Sequence, residues 1–418
     1  MTFGLIGKTL AHSYSKEIHE SLGKYEYELF SFSPEEMKEF VEKRDFSGLN
    51  ITIPYKKDVI PLCDHISELA EKIGAVNTLY WKEGKLTGHN TDYEGFLYAA
   101  QRAGISFENK TVLILGSGGT SLMARYAACD KGAKRIIIAS RRKTDTDFET
   151  VSYEDLSNIS DEIDVIVNTT PVGTFPNNLQ SVISLDDFKS CEAVIDVIYN
   201  PFKTKLLLDA EKLDIRHTNG LPMLVAQATA AAGYFLKSPG AFESENEKII
   251  SSLEKQIRNI VLIGMPGCGK STIGKILSSI TGKAFVDLDE EIIRDAGISI
   301  PEIFEKEGEE GFRRRESAAA QRFGKEKGLV IATGGGTVLK DENVDALRQN
   351  GILIYVKRNA NTLATKGRPL SKDLETLKKM EKERLPYYRT AADITFNNVR
   401  SQSKGKLTED LEKFLKRL

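Results

Sequence analysis

At 418 residues the chain is long enough for two or three hydrophobic cores, since domains run roughly 100–200 residues. Lys and Arg number 58 against 60 Asp and Glu, a near-balance that argues against the broad basic surface of a nucleic-acid or anionic-membrane binder. The four cysteines, Cys63, Cys129, Cys191 and Cys268, form no C-x-x-C pair and have no His at zinc-ligand spacing, which points to reduced thiols and a cytoplasmic protein.

Met1-Thr2-Phe3-Gly4-Leu5-Ile6-Gly7 enters a strand-like run at once, unlike a signal peptide, and no apolar stretch reaches transmembrane length. The strand ends at Gly7. Ala11-His12-Ser13-Tyr14-Ser15-Lys16 is a hydroxyl-rich turn leading into a helix from Lys16. Gly48 to Ile53 alternates, so that Asn50 and Thr52 share one strand face while Leu49, Ile51 and Ile53 take the other. Pro54 ends that strand and leaves Lys56 just beyond its tip. Gly74 to Leu79 reads as another short strand, Gly88 to Asp92 as a loop, and Tyr93 to Arg102 as a helix. Each polar residue here also has an ordinary explanation: Asn50 and Thr52 as a solvent face, Lys56 as one lysine of many, Asp92 as a helix cap.

Thr111 to Leu115 has the composition of a buried strand, and Gly116-Ser117-Gly118-Gly119-Thr120-Ser121 follows it before a helix to about Lys131. With a second strand, Arg135 to Ala139, this makes a βαβ unit carrying a glycine-rich dinucleotide turn, although its G-x-G-G spacing departs from G-x-G-x-x-G. Gly116, Gly118, Gly119 and Thr120 are the candidate cofactor contacts. The second strand ends in Ser140-Arg141-Arg142-Lys143. A carboxylate for a ribose 2′-hydroxyl is missing, and guanidinium groups stand where a 2′-phosphate would lie, so the expected cofactor is NADP(H). Strands at Asp164 to Asn168 and Ala193 to Ile198 continue the α/β alternation and end in polar turns, the second carrying Tyr199. Asn219 to Gln227 opens a largely apolar helix with a buried Gln227.

Ser244-Glu245-Asn246-Glu247 has the form of a capping box, and Ile249, Ile250, Leu253 and Ile257 recur at helical spacing behind it. No Gly/Ser- or Pro-rich linker separates that helix from the strand Asn259 to Ile263. Gly264-Met265-Pro266-Gly267-Cys268-Gly269-Lys270-Ser271-Thr272 then fits G-x-x-x-x-G-K-[ST] between a strand and a helix. Such a loop aims backbone N–H groups at phosphates. Lys270 would reach the β- and γ-phosphates of a nucleoside triphosphate and Ser271 would ligate Mg²⁺. Phe285 to Asp289 reads as a strand ending in paired carboxylates, Gly311 to Glu316 as a basic helix start, and Ile331 to Thr337 as a second glycine turn. Arg368-Pro369-Leu370 and Glu383-Arg384 bring further arginines, whereas Arg314 and Arg315 read as a solvated face. Leu407, Leu411, Phe414, Leu415 and Leu418 make one packing face of a last helix.

Together these motifs resemble two families. Ser13-x-Ser15, Asn50-x-Thr52-x-Pro54-x-Lys56, Ala75-Val76-Asn77-Thr78, Asn90-Thr91-Asp92, the Gly116 turn and Met223 to Gln227 resemble shikimate dehydrogenase over residues 1–257. The P-loop, Asp287-x-Asp289, Phe312-Arg313, Gly334-Gly335-Gly336, Arg368-Pro369-Leu370 and Arg384 resemble shikimate kinase over residues 259–418. The resemblance implies an α/β substrate-binding domain (1–92 with 221–257), a Rossmann-like NADP domain (93–220), and a P-loop domain like that of nucleoside-monophosphate kinases, with a parallel sheet.

By the same resemblance Ser13, Ser15, Asn50, Thr52, Asn77 and Gln227 hold the substrate, Lys56 and Asp92 are catalytic, and Tyr199 lies near nicotinamide and substrate. In the second half Asp289, Arg313, Gly335, Gly336 and Arg384 hold shikimate. Asp287 supports Mg²⁺ through water, and Lys270 with the lid residue Arg368 neutralises charge on the phosphoryl group. The implied enzyme reduces 3-dehydroshikimate and phosphorylates the shikimate formed. Two departures stand out. Lys8-Thr9 and Lys16 replace the Asn-Pro and Pro common in the first family, and the lid between Val356 and Arg368 is short for the second. The competing expectations are an inactive shikimate- or quinate-sensing regulator that keeps both folds, and a dehydrogenase preferring quinate or NAD.

Overall fold

The computed structural model describes residues 2–10, 13–141, 148–359, 374–399 and 403–417. They form two compact units, Met1–Leu253 and Glu254–Leu418.

The first unit holds two sheets. Strands β1 (Phe3–Gly7), β2 (Glu28–Ser31), β3 (Gly48–Ile51), β4 (His65–Ile66), β5 (Thr78–Lys82) and β6 (Lys85–His89) make a mixed sheet in the order β2-β1-β3-β5-β6-β4. Its buried face gathers Ile6, Leu49, Ile51, Tyr55, Val76, Leu79 and Leu86. Strands β7 (Thr111–Leu115), β8 (Arg135–Ala139), β9 (Glu149–Val151), β10 (Val165–Asn168), β11 (Ala193–Asp196) and β12 (Arg216–Thr218) make a sheet in the order β12-β11-β10-β7-β8-β9, parallel throughout. That is the doubly wound arrangement, with its topological switch between β7 and β10. Both faces are covered, so Val112 and Ile114 enter one core while Leu113 and Leu115 enter another. The helices Asp92–Arg102 and Leu221–Phe235 pack on each other closely. A Cβ on Gly95 would lie 2.5 Å from the Met223 carbonyl oxygen.

The second unit is one parallel sheet of β13 (Asn259–Ile263), β14 (Ala284–Asp287), β15 (Leu329–Ala332), β16 (Gly351–Lys357) and β17 (Ile394–Asn397), ordered β14-β15-β13-β16-β17. Helices cover it, and the core gathers Val261, Ile263, Ile331, Leu353 and Tyr388. Among the described residues no helix is long and apolar enough to cross a membrane.

Several local expectations are corrected. The strand expected from Gly74 starts only at Thr78, because Gly74 is a left-handed helix cap (φ 73°). The Ala75–Asn77 stretch then spends its backbone bonds on several segments: Val76 N donates to Lys56 O (2.8 Å), and Asn77 N to His89 O (3.0 Å). Gly88 and His89, expected in a loop, complete β6. β3 stops at Ile51, so Ile53 leaves the alternation and is 71% exposed. The capping box is absent. Ser244 lies inside a 3₁₀ turn, and the Glu247 carboxylate instead accepts from Tyr98 Oη (2.5 Å) and Arg102 Nε (2.9 Å). Asp289 is not on a strand, for β14 ends at Asp287, which caps the helix Leu288–Ala296. The basic stretch at Gly311 does open a helical segment, the chain being broken at Gly308 (φ 70°, ψ −176°).

Candidate active sites

A cavity of about 400 Å³ in the first unit is lined by Ser13, Ser15, Asn50, Thr52, Lys56, Asn77, Asp92, Thr120, Tyr199 and Gln227. Lys56 lies beyond the end of β3, and Asp92 is the first residue of its helix; their side chains meet at Nζ–Oδ2 2.5 Å. The other carboxylate oxygen accepts from Asn77 Nδ2 (2.9 Å), and the Asp92 N–H donates to Asn90 Oδ1 (3.1 Å). Asn77 is fixed in turn, its Oδ1 accepting from the Thr91 N–H at 2.7 Å. The Asn50 amide is oriented from behind: Tyr27 Oη donates to its Oδ1 (2.7 Å), and its Nδ2 donates to Thr78 Oγ1 (3.2 Å) and Asn77 O (3.3 Å). Gln227 Nε2 donates to Leu224 O (2.9 Å), and Ser15 N donates to Ser13 Oγ (3.2 Å). The rings of Tyr14 and Tyr199 lie 6.0 Å apart. Burial pushes the Tyr14 phenol up to about 12 and raises that of Tyr199, so both remain neutral hydrogen-bonding groups.

The glycine turn after β7 enters the same cavity through Thr120. Gly116 takes φ +102°, and a Cβ on Gly118 or Gly119 would meet nothing within 4 Å, so the turn presents bare backbone at the start of the helix Gly119–Asp130. At the end of β8 the buried Ser140 donates to Ser117 Oγ (3.1 Å), and Arg141 is exposed. Arg142 lies outside the described residues.

In the second unit a cavity of about 490 Å³ is lined by Gly267, Gly269, Lys270, Ser271, Thr272, Asp287, Asp289, Arg313, Gly335, Gly336 and Arg384. Gly264 and the buried Cys268 shape the loop from beneath, and Lys270 Nζ donates to the carbonyls of Gly264 (2.8 Å) and Met265 (3.1 Å). Ser271 Oγ donates to Asp287 Oδ2 at 2.6 Å, while Asp287 Oδ1 accepts from the Asp289 N–H (3.1 Å). Arg313 pairs with Glu316 (Nη1–Oε2 2.5 Å) and Glu309 (3.2 Å). Burial alone would lower the pKa of this guanidinium, but the two carboxylates outweigh it and raise it. Arg384 Nη1 and Tyr388 Oη both donate to the Gly335 carbonyl, at 3.0 and 2.5 Å. A Cβ on Gly335 would lie 2.6 Å from Pro266, and one on Gly336 would lie 2.3 Å from Arg313. The two loops and the arginine are packed as one surface. Arg368 lies outside the described residues; Arg314 and Arg315 pair with Glu310 and Glu307.

Residues 5–79 match the family described as shikimate dehydrogenase substrate binding domain, and residues 266–418 the family described as shikimate kinase. Shikimate dehydrogenase (NADP(+)) of Methanosphaera stadtmanae is 32% identical over 274 residues, covering 60% of this chain and 96% of that protein. The chain belongs to the shikimate dehydrogenase family. Its second unit is a shikimate kinase domain, and one polypeptide therefore joins both enzymes. The Caldicellulosiruptor bescii shikimate dehydrogenase is 38% identical, over 54% of this chain and 86% of its own. Among solved structures, a chorismate mutase/shikimate 5-dehydrogenase fusion protein from Clostridium acetobutylicum superimposes with a TM-score of 0.57 at 35% identity, over 61% of this chain and 97% of that one. The Thermus thermophilus enzyme in complex with NADP(H) and shikimate gives 0.54 at 29% identity, over 60% and 99%.

The first cavity thus brings together the expected substrate and catalytic residues with Thr120, whereas Gly116, Gly118, Gly119, Ser140 and Arg141 do not line it. The second brings together the expected residues except Gly264 and Cys268, and Arg142 and Arg368 lie outside the described residues. Two further residues escaped the sequence reading. Glu316, 1% exposed, holds both Arg313 and Thr337 Oγ1 (2.7 Å). Its signal was the Arg-x-x-Glu spacing that puts the two on one helix face. Tyr27 carried no local signal, because it precedes β2 and only the pairing of β2 with β1 and of β1 with β3 brings Asn50 within its reach.

Proposed function

We propose that the first unit reduces 3-dehydroshikimate to shikimate with NADPH, and that the second transfers the γ-phosphoryl group of ATP to the shikimate 3-hydroxyl. What supports this most is the 2.5 Å Lys56–Asp92 pair, set in one cavity with the polar side chains and with Thr120 of the glycine turn. The chain's own groups fit the cofactors. Arg141 at the end of β8 suits a 2′-phosphate, the open face of Gly118 and Gly119 suits a pyrophosphate, and Ser271 with Asp287 offers the hard oxygens Mg²⁺ prefers. NADPH supplies the hydride, and MgATP the phosphoryl group with charge neutralisation by the metal.

The remaining chemistry falls to side chains. As the C3 carbonyl oxygen gains negative charge, Lys56 stabilises it and delivers a proton; Asp92 holds the ammonium in place. Asn50, Thr52, Asn77, Gln227, Ser13 and Ser15 hold hydroxyls and carboxylate, with Tyr199 at the nicotinamide side. In the kinase cleft Arg313 and Arg384 take the shikimate carboxylate. Asp289 takes the proton of the attacking 3-hydroxyl, and Lys270 with Arg368 offsets charge on the transferred group, a reaction governed by positioning and electrostatics.

The test supplies the purified chain with 3-dehydroshikimate, NADPH, ATP and Mg²⁺, following nicotinamide absorbance and product mass. Shikimate 3-phosphate is expected, with omission of ATP stopping the reaction at shikimate. Neither product forming while both ligands bind would overturn the reading in favour of a sensor.

A further inference from the structure

Arg358 is absorbed by neither role above, yet it borders the kinase cavity together with Gly267, Gly269 and Lys270. Its position follows from the sheet. β16 runs parallel to β13 with Tyr355 beside Ile263, so the chain leaving β16 emerges level with the glycine loop leaving β13. A Cβ on Gly269 would lie 3.7 Å from Arg358 Nη1. The loop is pinned on that side by Asn398, whose Nδ2 donates to the Cys268 carbonyl at 2.7 Å.

Among the described residues the other cations lining the cavity are engaged: Lys270 with two carbonyls, Arg313 with two glutamates, Arg384 with Gly335. Arg358 differs. Its Nε is buried and has no hydrogen-bond partner among the described residues. A buried guanidinium N–H without an acceptor is a costly arrangement unless a ligand supplies one. What the neighbouring loop is built to hold is phosphate oxygen, which a guanidinium fork matches with two parallel hydrogen bonds.

We propose that Arg358 is a nucleotide-contacting residue of the kinase unit and pairs with the phosphate chain of the bound nucleoside triphosphate. This rests on the kinase reading and adds a positive group from the strand end rather than from the lid.

The test compares the full chain with Arg358→Ala and Arg358→Lys. One set of measurements gives kinase KM values for ATP and shikimate; another titrates MgADP and inorganic tripolyphosphate by calorimetry. Loss of a charge-assisted contact predicts a rise of about tenfold in the KM for ATP and in both dissociation constants for Arg358→Ala. The KM for shikimate should stay within about twofold, showing an intact unit, and lysine should restore part of the affinity because it keeps the charge without the fork. Unchanged affinities in both variants overturn the proposal. So does weaker MgADP binding with unchanged tripolyphosphate binding, which would place Arg358 on the base. If the wild-type chain binds MgADP but phosphorylates nothing, the kinase reading fails separately, and the two titrations still decide the role of Arg358.

Discussion

Lys56 and Asp92 meet at 2.5 Å although one follows β3 and the other opens the helix after β6. The Ala75–Asn77 segment joins them: Val76 N donates to Lys56 O, while Asn77 Nδ2 donates to Asp92 Oδ1. Lys56→Ala should therefore lower dehydrogenase kcat by roughly 10²–10⁴-fold, the contribution of a positioned proton donor. Phosphorylation of supplied shikimate should continue at the wild-type rate. Near-wild-type NADPH oxidation in the variant would remove Lys56 from the chemistry.

Tyr27 touches Asn50, and through it the cleft. The hydroxyl at 2.7 Å fixes which end of the Asn50 amide faces the cavity. Tyr27→Phe should raise the KM for 3-dehydroshikimate by about 3- to 10-fold, since a buried acceptor loses its donor, with kcat little changed. A proportional loss of kcat at constant KM would show a role in the reacting geometry instead.

How much of this was legible in the sequence depends on the range of the interaction. The P-loop, the dinucleotide turn and the alternating strands are local patterns, so Gly264 to Thr272 and Gly116 to Thr120 could be read directly. The roles of Asn50, Asn77 and Asp92 could not be read from periodicity, because each is fixed by a partner from another segment; only the joint resemblance assigned them. Ile53 shows the limit of alternation, which breaks where β3 ends two residues earlier. Glu247 shows the limit of motif reading. The capping form was present, but Tyr98 and Arg102 offered its carboxylate charge-assisted partners that the helix start could not match.

His19 lies fully buried, stacked on Tyr27 at 4.0 Å and hydrogen-bonded through Nδ1 to Tyr25 Oη at 2.7 Å. Desolvation pulls its imidazole down to about 3. The folded state then binds fewer protons than the unfolded state between about pH 3 and the ordinary histidine value near 6.5, so stability rises with pH across that window and is lost on acidification. The His19 ring resonances should stay at their neutral positions from about pH 7 down to pH 5, where an unperturbed histidine is protonated. A titration midpoint near 6 would overturn the burial argument.

Asp287 carries two duties that can be separated. Its Oδ2 accepts from Ser271 Oγ at 2.6 Å, and its Oδ1 caps the helix Leu288–Ala296 through the Asp289 N–H. Asparagine caps a helix about as well as aspartate, so Asp287→Asn should leave the kinase unit folded. What it removes is the charge that holds the Ser271 hydroxyl and, on the proposed reading, would support Mg²⁺. The Mg²⁺ concentration for half-maximal phosphorylation should therefore rise by about 10- to 100-fold, the usual cost of losing an outer-shell partner. Dehydrogenase turnover in the same preparation should be unaffected at any Mg²⁺ concentration. Unchanged Mg²⁺ dependence with a lowered melting temperature would assign Asp287 to the helix cap alone.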